Sequence, residues 1–279
     1  MIIKYSGPES VSIKGIRKNI LLGIIMGSIS FTLLACNKKE IKSVMDKNEV
    51  IVGLDDAFAP MGFKDESGEI VGFDVDLAKE VGDRLGKKVV FQPIDWSMKE
   101  SELNNGNIDF IWNGYTITEE RKEKVNFSEA YLNNKQVIVT LANSDINAKS
   151  DLSGKKVGAQ SESSAIEAME KDTELYESLS GGEAITFEDN NQALMDLEAG
   201  RIDAVVADEI LVKYYIKLKG EDKFKVLTED FGSEEYGVGI RKGDAETVEA
   251  INNAFEEMKK DGKMAEISQK WFGEDITDN

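Results

Sequence analysis

The sequence predicts an α/β protein that consists of two similar halves, each a mostly parallel sheet flanked by helices. From Glu49 onward, short β-branched runs alternate with amphipathic stretches, which is typical of parallel strands joined by helices. The alternation starts again at Asp151. Two spans share one layout, in which a helix end, a Gly stop and an Ile-Asp pair precede a strand: LNNGNIDFI from Leu103 and LEAGRIDAV from Leu197. This repetition predicts two α/β units within the 279 residues.

The first half contains three predicted strands and two predicted helices. A β-branched run over 49–54 predicts the first strand. Asp74 is expected to cap a helix that ends at Gly86, because the apolar residues between them fall on one helical face. The other predicted elements are a strand over 89–92, a helix over 97–105 and a strand over 108–112.

The second half repeats this order of elements. In open α/β sheets, ligands bind beyond the carboxyl ends of the strands. Two facing halves therefore predict a site in the cleft between them. The predicted elements are a strand over 156–159, a helix from Ser163, a strand over 184–187, a helix over 190–199 and a strand over 203–207.

The composition excludes several classes of function. A formal net charge of −19 argues against nucleic-acid binding, which needs Lys and Arg to replace the counterions of the phosphates. The chain has no histidine, which excludes Ser-His-Asp or Cys-His catalysis and His-ligated zinc. Cys36 is the single cysteine, so neither an intrachain disulfide nor a cysteine-clustered metal site can form. We expect no metal, cofactor or enzymatic activity, and we expect a monomer.

The N-terminal segment is predicted to be a lipoprotein signal peptide over 1–35. Basic residues precede an uncharged run over 20–35, whose sixteen residues fall short of the about 20 that span a bilayer. The run ends in LLAC from Leu33, which resembles a bacterial lipobox. We expect Cys36 to carry palmitate-type acyl chains and 36–48 to be a polar tether, which would hold the chain on the outer side of a bacterial cell membrane. The alternative is an uncleaved anchor with a cysteine at this position by chance.

Eight short motifs follow one another between about residue 49 and residue 276. The motifs are VGLD from Val52, GFDVDLA from Gly72, DW from Asp95, GYTITEER from Gly114, FSEAY from Phe127, DLSGKKVG from Asp151, GRIDAVVAD from Gly200 and AEISQKWFG from Ala265. Together they resemble the bacterial extracellular solute-binding proteins of family 3, the polar-amino-acid-binding lipoproteins of ABC transporters. Their order and spacing carry the resemblance, since no single motif is decisive.

The resemblance implies a type II periplasmic-binding-protein-like fold with two lobes. Lobe 1 would consist of 49–131 together with 236–273, and lobe 2 would consist of 132–235. Two crossing strands, near 132–136 and 231–235, would form the hinge between the lobes.

The resemblance also implies capture of a free polar L-amino acid in the cleft and its delivery to an ABC permease and its ATPase. A cationic amino acid and cystine are among the candidate ligands. Asp55 and Asp56 lie near Phe58 in the sequence and would favour a cationic side chain. Two alternatives stay open. One is a dehydratase-like enzyme of the same fold, with Asp55 or Glu162 as its acid, and the other is an amino-acid-sensing module.

Arg121 is the candidate for binding the carboxylate of the ligand. A guanidinium group matches two carboxylate oxygens with paired hydrogen bonds, and Arg121 lies just inside a helix that Thr118 opens. The resemblance places a carboxylate-binding arginine here, with Thr116 and the backbone of Gly114 beside it. The alternative is a solvated helix face, because Arg121 belongs to a run of charged residues over 119–122.

Asp208 is the candidate for binding the ammonium group. It follows the predicted strand over 203–207, whose carboxyl end would face the cleft. The resemblance places an ammonium-binding aspartate at this point. The alternative role is that of a helix cap for 209–219, and both roles could coexist.

The resemblance supplies the remaining candidates for the walls of the site. Phe58 and Trp96 would sandwich the side chain of the ligand, with a cation–π contribution for a cationic one. Glu162 and Ser164 stand where relatives often carry glycine. The other candidates are Asp55, Asn113 and Tyr115 in the first half, and Gln160 and Ser164 in the second.

Overall fold

A computed structural model describes residues 43–277. The predicted signal peptide and the predicted lipidation site Cys36 lie outside these residues. Residues 43–48 of the predicted tether are included and pack against the rest of the chain. Val44 is buried, and both its backbone N–H and the Ser43 hydroxyl donate to the Asp244 carboxylate, at 3.1 and 2.9 Å. Within the described residues, no helix is long and apolar enough to cross a membrane.

The strands are short, apart from two long ones near the middle and the end of the chain. The strands predicted within the two halves agree with the observed bounds to within two residues, the one predicted over 108–112 being shortened to two residues. The two crossing strands are longer than predicted. The strands are β1 Glu49–Leu54, β2 Ala57–Phe58, β3 Gly62–Lys64, β4 Ile70–Val71, β5 Lys88–Pro93, β6 Phe110–Ile111, β7 Asn126–Phe127, β8 Leu132–Leu141, β9 Val157–Gln160, β10 Ile185–Phe187, β11 Ala204–Asp208, β12 Phe224–Tyr236 and β13 Gly239–Ile240.

Helices follow most of the strands and cover the sheets. The α-helices are α1 Phe73–Arg84, α2 Lys99–Asn104, α3 Glu119–Lys124, α4 Ser164–Glu170, α5 Thr173–Ser178, α6 Asn190–Glu198, α7 Glu209–Lys219, α8 Ala245–Asp261 and α9 Lys263–Phe272. Short 3-10 helices occur at Val44–Asp46, Trp96–Met98 and Lys149–Leu152.

Two five-stranded sheets have the same layout. In the order β5-β1-β6-β13-β7, only β13 runs against the other strands, and in the order β10-β9-β11-β8-β12, only β8 does. The predicted pair of mostly parallel α/β units is thereby confirmed. Below, lobe 1 denotes the residues around the first sheet, including the small sheet β2-β3-β4, and lobe 2 denotes those around the second.

The two strands predicted to cross between the lobes are β8 and β12. They pair antiparallel, with Leu132 opposite Tyr236 and Asn133 opposite Glu235 at the end nearest lobe 1. Strand β13 follows β12 directly and inserts between β6 and β7 of lobe 1. Strands are thus present at both predicted positions, and their action as a hinge stays a prediction.

Buried aromatic rings pack where the crossing strands meet lobe 1. The ring of Tyr131, just before β8, lies 6.4 Å from that of Tyr236 at the end of β12. It also lies 6.3 Å from Trp112 and 5.8 Å from Phe255 of α8. Edge and tilted contacts of this kind add to the apolar burial, so this end of both strands is firmly attached to lobe 1.

The prediction that Asp74 caps a helix is wrong. Helix α1 begins at Phe73, and the N–H groups of Phe73 and Asp74 donate to the carbonyls of Pro60 and Met61, at 2.8 and 2.9 Å. Neighbouring backbone therefore satisfies the first turn without a side-chain cap. The Asp74 carboxylate points into the core and accepts hydrogen bonds from the Gly114 N–H, at 2.7 Å, and from the Tyr131 hydroxyl, at 2.9 Å. Burial raises its pKa to about 7.

Candidate functional site

A small cavity of about 10 Å³ lies between the two lobes in this arrangement, and we call it the interlobe cavity. It contains the candidate residues from both halves, except Tyr115 and Thr116, together with Ser163, which sequence analysis missed. Its lining side chains are almost fully shielded from solvent, so groups placed there interact in a low-dielectric setting. The lining residues are Asp55, Phe58, Trp96, Asn113, Gly114, Arg121, Gln160, Ser163, Ser164 and Asp208.

Arg121 is held from several directions. Thr118 caps α3 by accepting a hydrogen bond from the Arg121 N–H, at 3.2 Å. The guanidinium donates through Nη1 to the Thr116 carbonyl, at 3.2 Å, and its carbon lies 4.9 Å from the centre of the Tyr115 ring. Arg121 is only 2% exposed, whereas Lys122 beside it is exposed. The alternative of a solvated helix face is therefore wrong for Arg121.

Lobe 2 also reaches Arg121. Its Nη2 atom lies 2.9 Å from Oε1 of Glu167 on α4 and donates to the Glu162 carbonyl at 3.4 Å. The Glu162 carbonyl also accepts from the Lys99 ammonium, at 3.0 Å. Glu162 adopts a left-handed backbone with φ of 54°, and the residue itself is exposed. Its contribution to the site is therefore its carbonyl oxygen, and its carboxylate is not placed to act as an acid in the cavity.

Tyr115 and Thr116 lie behind the cavity wall. The Tyr115 ring is fully buried and stacks on Phe127 at 5.0 Å, while its hydroxyl donates to Glu100 at 2.9 Å. Burial raises the pKa of this hydroxyl, so it stays protonated. The Thr116 hydroxyl donates across the cleft to the Ser164 hydroxyl, at 3.0 Å. These two residues support Arg121 and link the lobes.

Asp208 ends β11 and lies on the lobe 2 side of the cavity. Its Oδ1 atom accepts hydrogen bonds from Asn134, at 2.7 Å, from Gln136, at 3.0 Å, and from the Tyr236 hydroxyl. Burial, together with the nearby Glu234 carboxylate, raises the pKa of Asp208 well above its ordinary value. Its side chain accepts no hydrogen bond from the first turn of α7, so the alternative of a helix cap is wrong.

Asp55 and Asp56 have different environments. Asp55 follows β1 and is buried, and its carboxylate accepts from the Ala57 N–H, at 2.9 Å, and from Gln160 across the cleft, at 2.8 Å. Burial is the main cause that raises the pKa of Asp55 to about 6. Asp56 instead forms an ion pair with Lys64 outside the cavity. Only Asp55 can therefore contribute a carboxylate to the ligand site, and the expectation for Asp56 is wrong.

Gln160 is oriented by a residue that sequence analysis missed. The Asn190 side-chain amide donates to Gln160 Oε1 at 3.0 Å, which directs the Gln160 amide nitrogen toward Asp55 and the Glu188 carbonyl. Asn190 is buried at the first position of α6. No local signal distinguishes it from an ordinary polar residue at a helix start, because its role depends on a partner 30 residues away.

Two aromatic rings and a glycine form the apolar part of the wall. Phe58 and Trp96 are 5% and 7% exposed and both line the cavity. Gly114 has φ of 57°, and a Cβ atom there would lie 2.8 Å from the Phe58 ring. Only glycine therefore allows Phe58 to approach this backbone. The Asn113 Oδ1 atom accepts from the Asp55 N–H at 3.0 Å, which joins this wall to the end of β1.

Known proteins are similar to this chain in both sequence and fold. The chain is 33% identical over 239 residues to the L-cystine-binding protein TcyJ of Escherichia coli (strain K12), covering 85% of this chain and 87% of TcyJ. An ABC uptake transporter substrate-binding protein from Streptococcus pneumoniae, solved with bound histidine, superposes with a TM-score of 0.82 at 43% identity, covering 84% of this chain and 96% of that one. An ancestral arginine-binding protein bound to arginine gives a TM-score of 0.76 at 42% identity, covering 81% and 99%.

A model of one protein family matches residues 50–274, which is nearly all of the described chain. The match covers both lobes and the two crossing strands. The chain belongs to the bacterial extracellular solute-binding proteins, family 3.

Proposed function

We propose that the chain captures a free polar L-amino acid in the interlobe cavity and delivers it to an ABC permease with its ATPase. One observation carries the proposal: a buried guanidinium, that of Arg121, and a buried carboxyl group, that of Asp208, line the same cavity from opposite lobes. The constant part of every amino acid is a carboxylate and an ammonium group. Those two groups are opposite in charge to the two protein groups that they would meet.

The carboxylate of the ligand would bind Arg121, and the ammonium group would bind Asp208. Because the cavity excludes water, each charged hydrogen bond is stronger there than at an exposed site. A ligand ammonium beside Asp208 favours the ionised carboxyl, which opposes the effect of burial on its pKa. Binding would thus convert an unfavourably buried acid into half of an ion pair.

The side chain of the ligand would lie against Phe58, Trp96 and Asp55. The aromatic faces favour an apolar or cationic group, and Asp55 offers a carboxylate to a cationic or hydrogen-bonding end. Similarity supports this range of ligands, since the relatives include proteins named for cystine, arginine, histidine and glutamine. For this chain we propose a cationic amino acid first, and cystine or glutamine after it.

The proposal also includes where the protein is located in the cell and how its chain is divided. The sequence of the N-terminal segment supports a signal peptide that ends before a lipidated Cys36, with the mature chain anchored outside the cell membrane as a monomer. The proposed division of the chain is lobe 1 over 49–131 and 236–273, and lobe 2 over 132–235. Catalysis is not part of the proposal.

A thermal-shift screen of the full chain tests the proposed function. The twenty amino acids, cystine and ornithine are added one at a time, and the melting temperature is recorded. A ligand at about 100 times its Kd stabilises the folded state by about 2.7 kcal/mol, so we expect a clear rise for one or a few closely related amino acids. Calorimetry with the strongest of them then gives the affinity. If none of these compounds raises the melting temperature, the proposed function is wrong.

A further inference from the structure

The ion pair between Arg121 and Glu167 joins the two lobes at the site itself. Arg121 belongs to α3 of lobe 1, and Glu167 belongs to α4 of lobe 2, with 2.9 Å between Nη2 and Oε1. The two side chains are 3% and 23% exposed, so the pair is largely shielded from water. Such a contact forms only when the lobes approach each other. It therefore contributes to the free-energy difference between the open and the closed arrangement.

Glu167 leaves room for a ligand on the same arginine. A guanidinium carries five N–H groups. Within residues 43–277, the Thr116 carbonyl accepts from Nη1, the Glu162 carbonyl accepts from Nη2, and Glu167 forms an ion pair with Nη2. Among those residues nothing accepts from the Nε–H group or the second Nη1–H group, so both stay available to a ligand, while the Tyr115 ring fixes the plane of the group from one side. Glu167 thus orients Arg121 without competing for its whole donor set.

The pair also changes the charge that the cavity presents. Glu167 cancels the charge of Arg121, and Lys99 nearby has Glu100 at 3.5 Å. Two carboxyl groups of the cavity wall, Asp55 and Asp208, have no cationic side chain within ion-pair distance among the described residues. With Arg121 and Lys99 paired, the ionisable groups of the cavity wall that lack a charged partner are carboxyl groups.

We propose that Glu167 is a specificity-determining residue of the amino-acid site. By pairing with Arg121 it holds the lobes closed on the ligand, and by cancelling the charge of the arginine it makes the cavity select a cationic amino acid over a neutral one. Glu167 acts through Arg121 and is a positioning residue. The inference depends on the proposed function, because it assigns a ligand class to the same site.

Calorimetry with L-arginine and L-glutamine tests the selectivity. For the wild-type full chain we expect tighter binding of L-arginine. In Glu167→Gln we expect the Kd for L-glutamine divided by the Kd for L-arginine to fall about tenfold, because a negative charge is removed near the cavity. The matched control is Glu170→Gln, since Glu170 lies on the same helix but is exposed and does not pair with Arg121. Its ratio should stay within about twofold of the wild type.

The closing effect is measured separately, without any ligand. Nitroxide labels on Met98→Cys in lobe 1 and Glu174→Cys in lobe 2, both exposed positions, report the distance between the lobes in the full chain with Cys36→Ser. Glu167→Gln should shift the distance distribution away from the closed arrangement, and Glu170→Gln should not.

Three results would overturn the inference. In the first, the wild-type chain binds L-glutamine more tightly than L-arginine. In the second, Glu167→Gln changes neither the selectivity nor the distances between the labels. In the third, Glu167→Gln and Glu170→Gln have equal effects. Failure of the proposed function differs from these results, because then no amino acid would raise the melting temperature of the wild-type chain.

Discussion

The two lobes share a strand order, yet they present different chemistry to the cavity between them. Strands β1 and β9 occupy equivalent places in the two sheets. Asp55 follows the first and Gln160 ends the second, and these two side chains meet across the cleft at 2.8 Å. Likewise, β6 leads to the Gly114 backbone, whereas β11 ends in Asp208. A common topology thus determines where the site lies, and the residues at the strand ends determine what each lobe binds.

The division of charge between the lobes follows from this difference. Lobe 1 contributes the cation Arg121 and the aromatic faces, and lobe 2 contributes Asp208 with the amide and hydroxyl groups around it. In the proposed binding mode, Arg121 of lobe 1 meets the carboxylate of the ligand and Asp208 of lobe 2 meets its ammonium group. Both groups of the ligand would then be bound only when the lobes are together, which would couple ligand binding to closure.

The largest effect should come from removing the cation of lobe 1. Arg121→Ala deletes a buried, charged hydrogen-bond partner, so we expect the affinity for the amino acid found in the screen to fall by at least about 2–3 kcal/mol, roughly 30- to 150-fold. Calorimetry measures the change. Lys122→Ala is the control, because Lys122 is the adjacent residue, exposed and paired with Glu119. Unchanged affinity in Arg121→Ala would show that lobe 1 binds the ligand elsewhere.

Asp55 can ionise, whereas Gln160, which occupies the equivalent strand end in lobe 2, cannot. A change of pH therefore tests the difference between the two lobes. The pKa of Asp55 in the folded chain, about 6, lies above its ordinary value of 3.8. A raised carboxyl pKa contributes stability that is complete below the unfolded pKa and is lost as pH rises through the folded pKa. The ligand-free chain should therefore lose on the order of 2 kcal/mol of stability through Asp55 between pH 4 and pH 7.

Affinity for L-arginine should change in the opposite direction. As Asp55 ionises, its attraction for a guanidinium increases, so we expect binding to strengthen by up to about tenfold from pH 5 to pH 7. Denaturant unfolding and calorimetry measure the two trends, and Asp55→Asn serves as the comparison because it cannot ionise. If Asp55→Asn retained both pH dependences, other groups such as Asp74 or Asp208 would be responsible for them.

The smallest effect concerns the backbone on either side of the cavity. Gly114 in lobe 1 and Glu162 in lobe 2 both have left-handed backbones, with φ of 57° and 54°, but only one of them is glycine. Glu162→Gly keeps the carbonyl that accepts from Arg121 and Lys99, and it removes the steric cost of a Cβ atom in this region. We expect a gain of about 0.5–1 kcal/mol in the free energy of unfolding. Gly114→Ala should destabilise, and a loss of stability in Glu162→Gly would contradict the argument.

Much of the fold could be predicted because its signals are local. The alternation of strand and helix patterns and the repeated Gly-x-Ile-Asp layout predicted two mostly parallel units, which the sheets confirm. The chain-long resemblance predicted the family, which the match over 50–274 confirms. The candidate site residues remain predictions, although most of them line one cavity.

The missed and mistaken residues depend on distant partners. Asp74 has the sequence context of a helix cap, but its carboxylate bonds Gly114 and Tyr131, 40 and 57 residues away. Glu167 looks like any charged residue on an amphipathic helix until the lobes bring it to Arg121. Asp55 and Asp56 are adjacent, yet one is buried and the other pairs with Lys64. Periodicity describes which face of an element is apolar, and it carries no information on which polar groups meet across a cleft.

The position of β13 has a consequence for the order in which the lobes are completed. The five strands of the lobe 2 sheet lie within one continuous stretch, from Leu132 to Tyr236. In lobe 1, the only strand among residues 43–277 that pairs with β7 is β13, which comes after that stretch. Because the chain is synthesised from its N-terminus, β7 can join a sheet only after more than one hundred later residues have been added. The lobe that begins first is finished last, and a chain cut short after Tyr236 would keep every strand of lobe 2 but leave lobe 1 with an unpaired edge.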